Sequence, residues 1–213
     1  INDNFLIEGS INNFKLNLLN DYKFKHIDAY FNIKKNSYLI DLIKASYSNI
    51  NFASSKIEIL GNKKKINLKA IINSKAELIK THEFLDFLKL PLDSKLLKNS
   101  KISFNIKNNI TLELKNYFKI TNSSYNGSGL INYLSINNDK KNTIRHFIKN
   151  INPKLEFKKN NITYNIKNKK IIFSSKGLFK FANKFEKYVS NLSYNFNDEN
   201  FKFKNKFDID SLP

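Results

Sequence analysis

Cysteine, methionine and tryptophan are all absent from the 213 residues. Without cysteine there is no disulfide, no structural zinc thiolate and no thiol nucleophile, and the redox compartment is left open. Without methionine the chain holds no initiator, and Ile1 already stands in a strand-like segment. The expectation is a fragment, or the mature form, of a longer polypeptide. Glycine and proline number only 5 and 3, too few for a small barrel with many sharp corners and better suited to a long, gently curved sheet. No apolar run exceeds three residues, Ile171-Ile172-Phe173 being typical, whereas a membrane-spanning helix needs about 20. Neither a spanning helix nor a signal peptide is expected within the chain.

Arginine is almost missing too. Of 37 basic residues only Arg145 is not Lys, and 36 Asn accompany a net charge of +19. Lys, Asn, Ile and Phe are residues of AT-rich codons, so base bias accounts for much of the excess charge. Readers of base edges favour the bidentate guanidinium fork, and its scarcity argues against specific nucleic-acid recognition.

What is present is alternation with a period of two, the mark of strands with one apolar and one polar face. Phe14, Leu16 and Leu18 alternate with Lys15 and Asn17. Ile57 and Ile59, then Gly61-Asn62, then Ile66, Leu68 and Ala70 read as a hairpin. Ile102, Phe104 and Ile106 followed by Asn108-Asn109 and then Ile110, Leu112 and Leu114 read as a second. Ile162, Tyr164 and Ile166 lead to a turn at Asn168-Lys169, then to Ile171 and Phe173. Leu192, Tyr194 and Phe196 precede the turn Asn197-Asp198-Glu199-Asn200, with Phe201 and Phe203 beyond it. About a dozen strands are expected, and persistent alternation implies antiparallel pairing, because buried parallel strands are apolar on both faces.

Two stretches break the pattern. Ser74 and Glu77 have capping-box spacing, with Leu78, Leu85 and Leu88 on one helical stripe, Phe84 and Phe87 beside it and Pro91 as a stop, which predicts a helix over about 75–90. Ile144, Phe147, Ile148 and Ile151 recur at helical spacing before Pro153, so Thr143 to Asn150 is either a second short helix or a loop. The fold class is therefore mainly β: an elongated, curved antiparallel sheet of hairpins and meanders with one or two short helices. The hairpin-rich halves on either side of the first helix look like loose copies of one unit.

Catalytic and cofactor chemistry is not visible. His26, His82 and His146 are far apart, and His82-Glu83 lacks the second His of a zinc-protease motif. Gly127-Ser128-Gly129 is followed by no Lys-Ser/Thr pair and reads as a turn. The carboxylates Asp198-Glu199 and Asp208/Asp210 read as solvated charge rather than as a desolvated acid pair. No enzyme activity, metal or cofactor is expected.

Gly9-Ser10-Ile11-Asn12-Asn13-Phe14-Lys15-Leu16, Ala45-Ser46-Tyr47-Ser48-Asn49-Ile50-Asn51-Phe52 and Lys176-Gly177-Leu178-Phe179-Lys180-Phe181 resemble repeats of AsmA-like proteins of Gram-negative envelopes, within the repeating β-groove class of bridge-like lipid-transfer proteins. The resemblance covers most of the chain in style. It implies a groove, polar outside and apolar inside, that conducts phospholipid across the periplasm and is anchored to the inner membrane by a helix outside this piece, contributing to outer-membrane biogenesis. On that reading 1–73 is a β-groove segment, 74–99 a helical crossover and 100–213 a second β-groove segment of one continuous domain. The partners are phospholipid or another acyl-chain lipid, and the membrane through segments outside the fragment. The groove-facing candidates are Phe14, Leu16, Leu18, Ile57, Ile59, Ile66, Leu68, Ile102, Phe104, Ile106, Ile110, Leu112, Leu114, Ile162, Tyr164, Ile166, Leu192, Tyr194, Phe196, Phe201 and Phe203.

A single sheet must cover its apolar face with a second sheet, with helices or with another apolar substance. Acyl chains would serve. Lys15, Lys101, Lys107, Lys115, Lys202 and Lys204 on the polar face would meet water or anionic headgroups, or guard against aggregation. The alternative is a structural β-sandwich module of the envelope with a closed core and no lipid cargo.

Overall fold

In a computed structural model of the chain, the residues described are 5–18, 22–62, 64–88, 99–115, 119–137, 154–181, 184–195, 197 and 200–208, without the side chains of 18, 85–88, 137 and 181. Strands β1 (Leu6–Leu18), β2 (Tyr22–Lys34), β3 (Ser37–Tyr47), β4 (Ile50–Gly61) and β5 (Lys65–Lys80) lead into helix α1 (Thr81–Leu88). Strands β6 (Lys101–Lys115), β7 (Lys119–Asn137), β8 (Lys154–Lys167), β9 (Lys170–Phe181), β10 (Lys184–Asn195) and β11 (Asn200–Asp208) follow. All eleven form one open antiparallel sheet in sequence order, so each strand pairs only with its chain neighbours and β1 and β11 are the edges.

The short turns do what their residues allow. Lys167 pairs with Lys170 across Asn168 and Lys169, both of which adopt positive φ (49° and 59°), the geometry that lets a two-residue turn match strand twist. Gly61 closes the β4–β5 hairpin at φ 141°, a conformation open to glycine. Register shifts interrupt every ladder from β1–β2 to β6–β7, and β8–β9 as well. Such bulges bend strands and give a broad sheet its curvature. Asp28 shows how one is held: its carboxylate accepts the Asn13 backbone N–H (2.6 Å) and pairs with Lys44 (3.0 Å), while His26 Nδ1 donates to Asn13 Oδ1 (3.0 Å).

Three expectations need correction. Gly127-Ser128-Gly129 is not a turn but lies in mid-strand in β7, paired on both sides. Asn108-Asn109 is not a turn, because β6 runs unbroken through it. Asn108 points to the apolar face, where its amide donates to Ile72 O (3.0 Å) and Ser74 Oγ (3.1 Å) and its Oδ1 accepts the Tyr164 hydroxyl. The Tyr164 ring crosses β7 to reach it over Gly127, where any Cβ would fall on that ring.

The helix expected over 75–90 begins only at Thr81, because β5 continues to Lys80. Ile72, Ser74 and Ala76 pair with Asn108, Ile106 and Phe104 of β6, and Ser74 Oγ donates to Ile106 O (3.2 Å). Burial of that face outweighs the local capping-box signal. Leu78, assigned to the helical stripe, instead occupies a bulge at φ 44° and is exposed. The second helical or loop stretch, 143–150, lies outside the described residues.

The best-covered part of the sheet lies beneath α1. Ile50 and Phe104 are fully buried, and Phe84 of α1 packs its ring, tilted by 52°, 4.8 Å from that of Phe104. Burial of one such side chain stabilises by roughly 1.5–3 kcal/mol. Ser48 Oγ and Asn49 Nδ2, in the β3–β4 turn, donate to Glu83 of α1 (3.1 and 2.9 Å) and hold the helix over this end.

Candidate apolar groove

Residues directly opposite in a ladder share a face of the sheet, so the pairings trace rows of side chains across it. One row starts at Gly9 and passes through Phe31, Ile40, Ile57, Ala70 and Ile110. It continues through Tyr125, Ile166, Ile171 and Tyr194 to Phe201. No polar side chain interrupts it over all eleven strands, a span of ~48 Å at ~4.8 Å per strand. Apart from buried Ala70 and exposed Phe201, its members are half-buried.

A parallel row nearer the turns runs Ile7, Ile33, Tyr38, Ile59, Leu68 and Leu112. Nearer α1, the row Tyr47, Ile50, Ala76, Phe104, Ile131 and Asn160 is largely buried. The face is thus packed shut below α1 and half-open toward the other end of the strands.

The groove-facing candidates divide along this gradient. Ile57, Ile59, Ile66, Leu68, Ile110, Leu112 and Leu114 are half-buried on the common face, as are Tyr164, Ile166, Leu192 and Tyr194. Phe14, Leu16, Phe201 and Phe203, on the edge strands, are exposed. Ile102, Phe104, Ile106 and Ile162 share the face but belong to the buried core, covered by protein. The Leu18 side chain and Phe196 lie outside the described residues. Phe31, Ile40, Tyr125 and Ile171 complete the long row without having been singled out as groove-facing. The strands of the first three carry bulges (β2, β3) or many Ser and Asn residues (β7), which blur the alternation.

The face is not purely apolar. Asn160 Oδ1 is buried without a hydrogen-bond partner and lies against Gly177, while Ser175 and Tyr188 share a hydrogen bond of 2.8 Å. Burial raises the Tyr164 and Tyr188 phenols above the ordinary range. Tyr188 packs against Phe157 (5.5 Å) and Phe179 (6.2 Å) in an aromatic cluster. Among the described residues no three His, Asp or Glu converge as a metal site needs, and no helix is long and apolar enough to cross a membrane.

On the opposite, polar face, Lys15, Lys101, Lys107, Lys115, Lys202 and Lys204 are exposed. The arrangement offers an extended apolar strip suited to hydrocarbon, backed by a cationic exterior. Comparison with protein-family models, with curated proteins and with solved structures returns no match.

Proposed function

We propose that this chain binds phospholipid, or another acyl-chain lipid, along the half-open apolar face and passes it between the inner and outer membranes of an envelope. The observation that carries the reading is the apolar row from Phe31 to Phe201, half-exposed or exposed on every one of ten successive strands but β5, where Ala70 is buried. Exposed apolar area of that extent favours a partner that removes it from water, and a strip tens of ångströms long suits chains better than a compact ligand. The resemblance to AsmA-like repeats supports the same reading, including a periplasmic location and an anchor outside these residues. A closed sandwich module finds less support, since the described strands form one sheet and rings such as Phe24 with Phe52 and Phe157 with Tyr188 meet between strands two apart in that same sheet.

Mass spectrometry of organic extracts from natively purified protein tests it, with stoichiometric phospholipid the expected result. The paired variants Leu112→Asp and Thr111→Asp then separate groove from core, because Leu112 is half-buried on the apolar face and Thr111 is exposed on the other. In a dry core an unpaired carboxylate costs several kcal/mol, on the order of a domain's whole stability of about 5–15 kcal/mol. In a groove open to water the Asp stays hydrated while its charge repels acyl chains. Leu112→Asp is expected to melt near the parent's temperature but lose bound lipid, and Thr111→Asp to change neither. Collapse of Leu112→Asp, with no lipid in the parent, would replace this reading with the structural module.

A further inference from the structure

The two edges of the sheet are built differently. β1 is interrupted by register shifts between Ile11 and Phe14 and between Phe14 and Leu16, and Asn13 sits at φ 52° in the first of them. Bulges of this kind turn an edge away from further pairing. β11 has no such guard. It pairs with β10 without a register shift from Asn200 to Asp208, and β10 pairs with β9 as regularly. All nine of its residues are exposed. One side of its backbone therefore presents a row of unpaired N–H and C=O groups, a template onto which an extended segment can add.

The side chains of β11 say which segment fits. Phe201, Phe203 and Phe207, on the apolar face, lie opposite Tyr194, Leu192 and Tyr188. They are 58%, 55% and 48% exposed, because no strand stands beyond them in the sheet. Their rings are already held: Phe201 stacks on Phe203 (6.1 Å) and Phe207 packs edge-on against Phe179 (4.9 Å), so docking would cost them little rotamer freedom. On the polar face Lys202, Lys204 and Lys206 lie opposite Ser193, Asn191 and Val189, and none of the three is in an ion pair among the described residues. They recur every ~6.8 Å, the interval at which an opposing strand presents its own polar side chains. Opposite charges directly across such a pair stabilise it and like charges oppose it.

That pattern disfavours a second copy as the occupant. β11 set against β11 would bring these lysines together, and β1 is the bulged edge and carries Glu8 as its one carboxylate.

We propose that β11 is a docking edge for an extended segment of another protein in which acidic residues alternate with apolar ones. The segment adds beside β11 as one more strand of the sheet. Its carboxylates face Lys202, Lys204 and Lys206, its apolar side chains cover Phe201, Phe203 and Phe207, and its backbone pairs with the open side of β11. The apolar row that ends at Phe201 then continues onto the partner.

The test uses fluorescent peptides of β11's length: Glu alternating with Val, Lys alternating with Val, and a block peptide with the composition of the first. Affinity is read by anisotropy, and strand addition by amide hydrogen exchange across β11. The alternating Glu peptide is expected to bind at least about tenfold tighter than the other two, the order expected of three cross-strand ion pairs, and to protect β11 amides. Lys202→Glu, Lys204→Glu and Lys206→Glu together should invert the preference toward the Lys peptide, a gain that misfolding cannot imitate. Lys25→Glu, Lys69→Glu and Lys107→Glu together, exposed on other strands and equal in charge change, should leave preference and protection in place.

Equal affinity for the block peptide, or binding without protection of β11, would mark mere attraction to the chain's net positive charge and overturn the proposal. So would failure of the first variant to invert the preference, loss of it in the second, or no binding by the parent. Protection of β11 that arises without peptide and grows with protein concentration would assign the edge to a second copy, which also overturns it.

Discussion

Glu156 is held on the polar face of β8 by three donors from three strands: Lys154 (2.6 Å), Tyr133 (2.9 Å) and Lys180 (3.3 Å). The Lys154 contact is the main cause that takes its carboxyl from the ordinary glutamate range down to about 2, against the opposing effect of burial. A group whose folded value is depressed contributes stability that is complete above its unfolded value and is lost as pH falls toward the folded one. The relevant window therefore runs from about 4.5 down to about 2. With a side chain only 14% exposed, the contribution is on the order of 1–3 kcal/mol. Glu156→Gln should melt lower at neutral pH, flatten the parent's loss of stability across that window, and meet the parent near its acid end. A parent whose melting temperature is level through the window would show that the cluster contributes nothing.

Asn-Lys at 168–169 and Asn-Asn at 108–109 resemble one another locally and differ in structure. Lys169 sits at φ 59° in a turn, and Asn109 sits exposed in mid-strand. A non-glycine residue in the left-handed region costs roughly 1–2 kcal/mol, whereas glycine inside a strand costs roughly 0.5–1 kcal/mol. Lys169→Gly should therefore raise the urea midpoint and Asn109→Gly should lower it, and a common sign for the two would contradict the assignment. The difference was legible in residue parity. In a two-residue hairpin partner numbers sum to an odd value, as Ile166 with Ile171 does, so inward positions switch from even to odd. From Ile102 to Leu114 the inward positions stay even through Asn108 and Asn109, which a two-residue turn there does not permit. The hairpins at Gly61-Asn62, Asn168-Lys169 and Asn197–Asn200 were readable by turn chemistry, and the apolar faces of β6, β8 and β10 by alternation. The Ser74–Glu77 signal was overridden by pairing with β6, and the split of the face into open and buried parts depends on where α1 lands. Neither is written in a local pattern.

Because every ladder joins sequence neighbours, the molecule approaches a one-dimensional stack in which each strand depends on the two beside it. Removal of β10 and β11 by a stop after Asn183 should then leave the amides of Ile50 and Phe104, far along the stack, as protected from hydrogen exchange as in the parent. Protection should fall only in β9 and its neighbour β8. Global loss of protection would instead reveal a single cooperative unit, with coupling carried along the apolar face.

The strand count carries a consequence of its own. Eleven is odd, so the edge strands β1 and β11 point the same way. Two copies joined β11 to β1 with their α1 ends aligned would need a parallel seam, which holds slightly less well per residue than an antiparallel one. An antiparallel seam between like edges relates the copies by a dyad and turns one of them end for end. In that arrangement the half-open turn end of one copy abuts the α1 end of the next, so the open and the closed parts of the apolar face fail to line up across the junction. An uninterrupted track along this face is more easily built from further hairpins of one polypeptide than by docking separate copies.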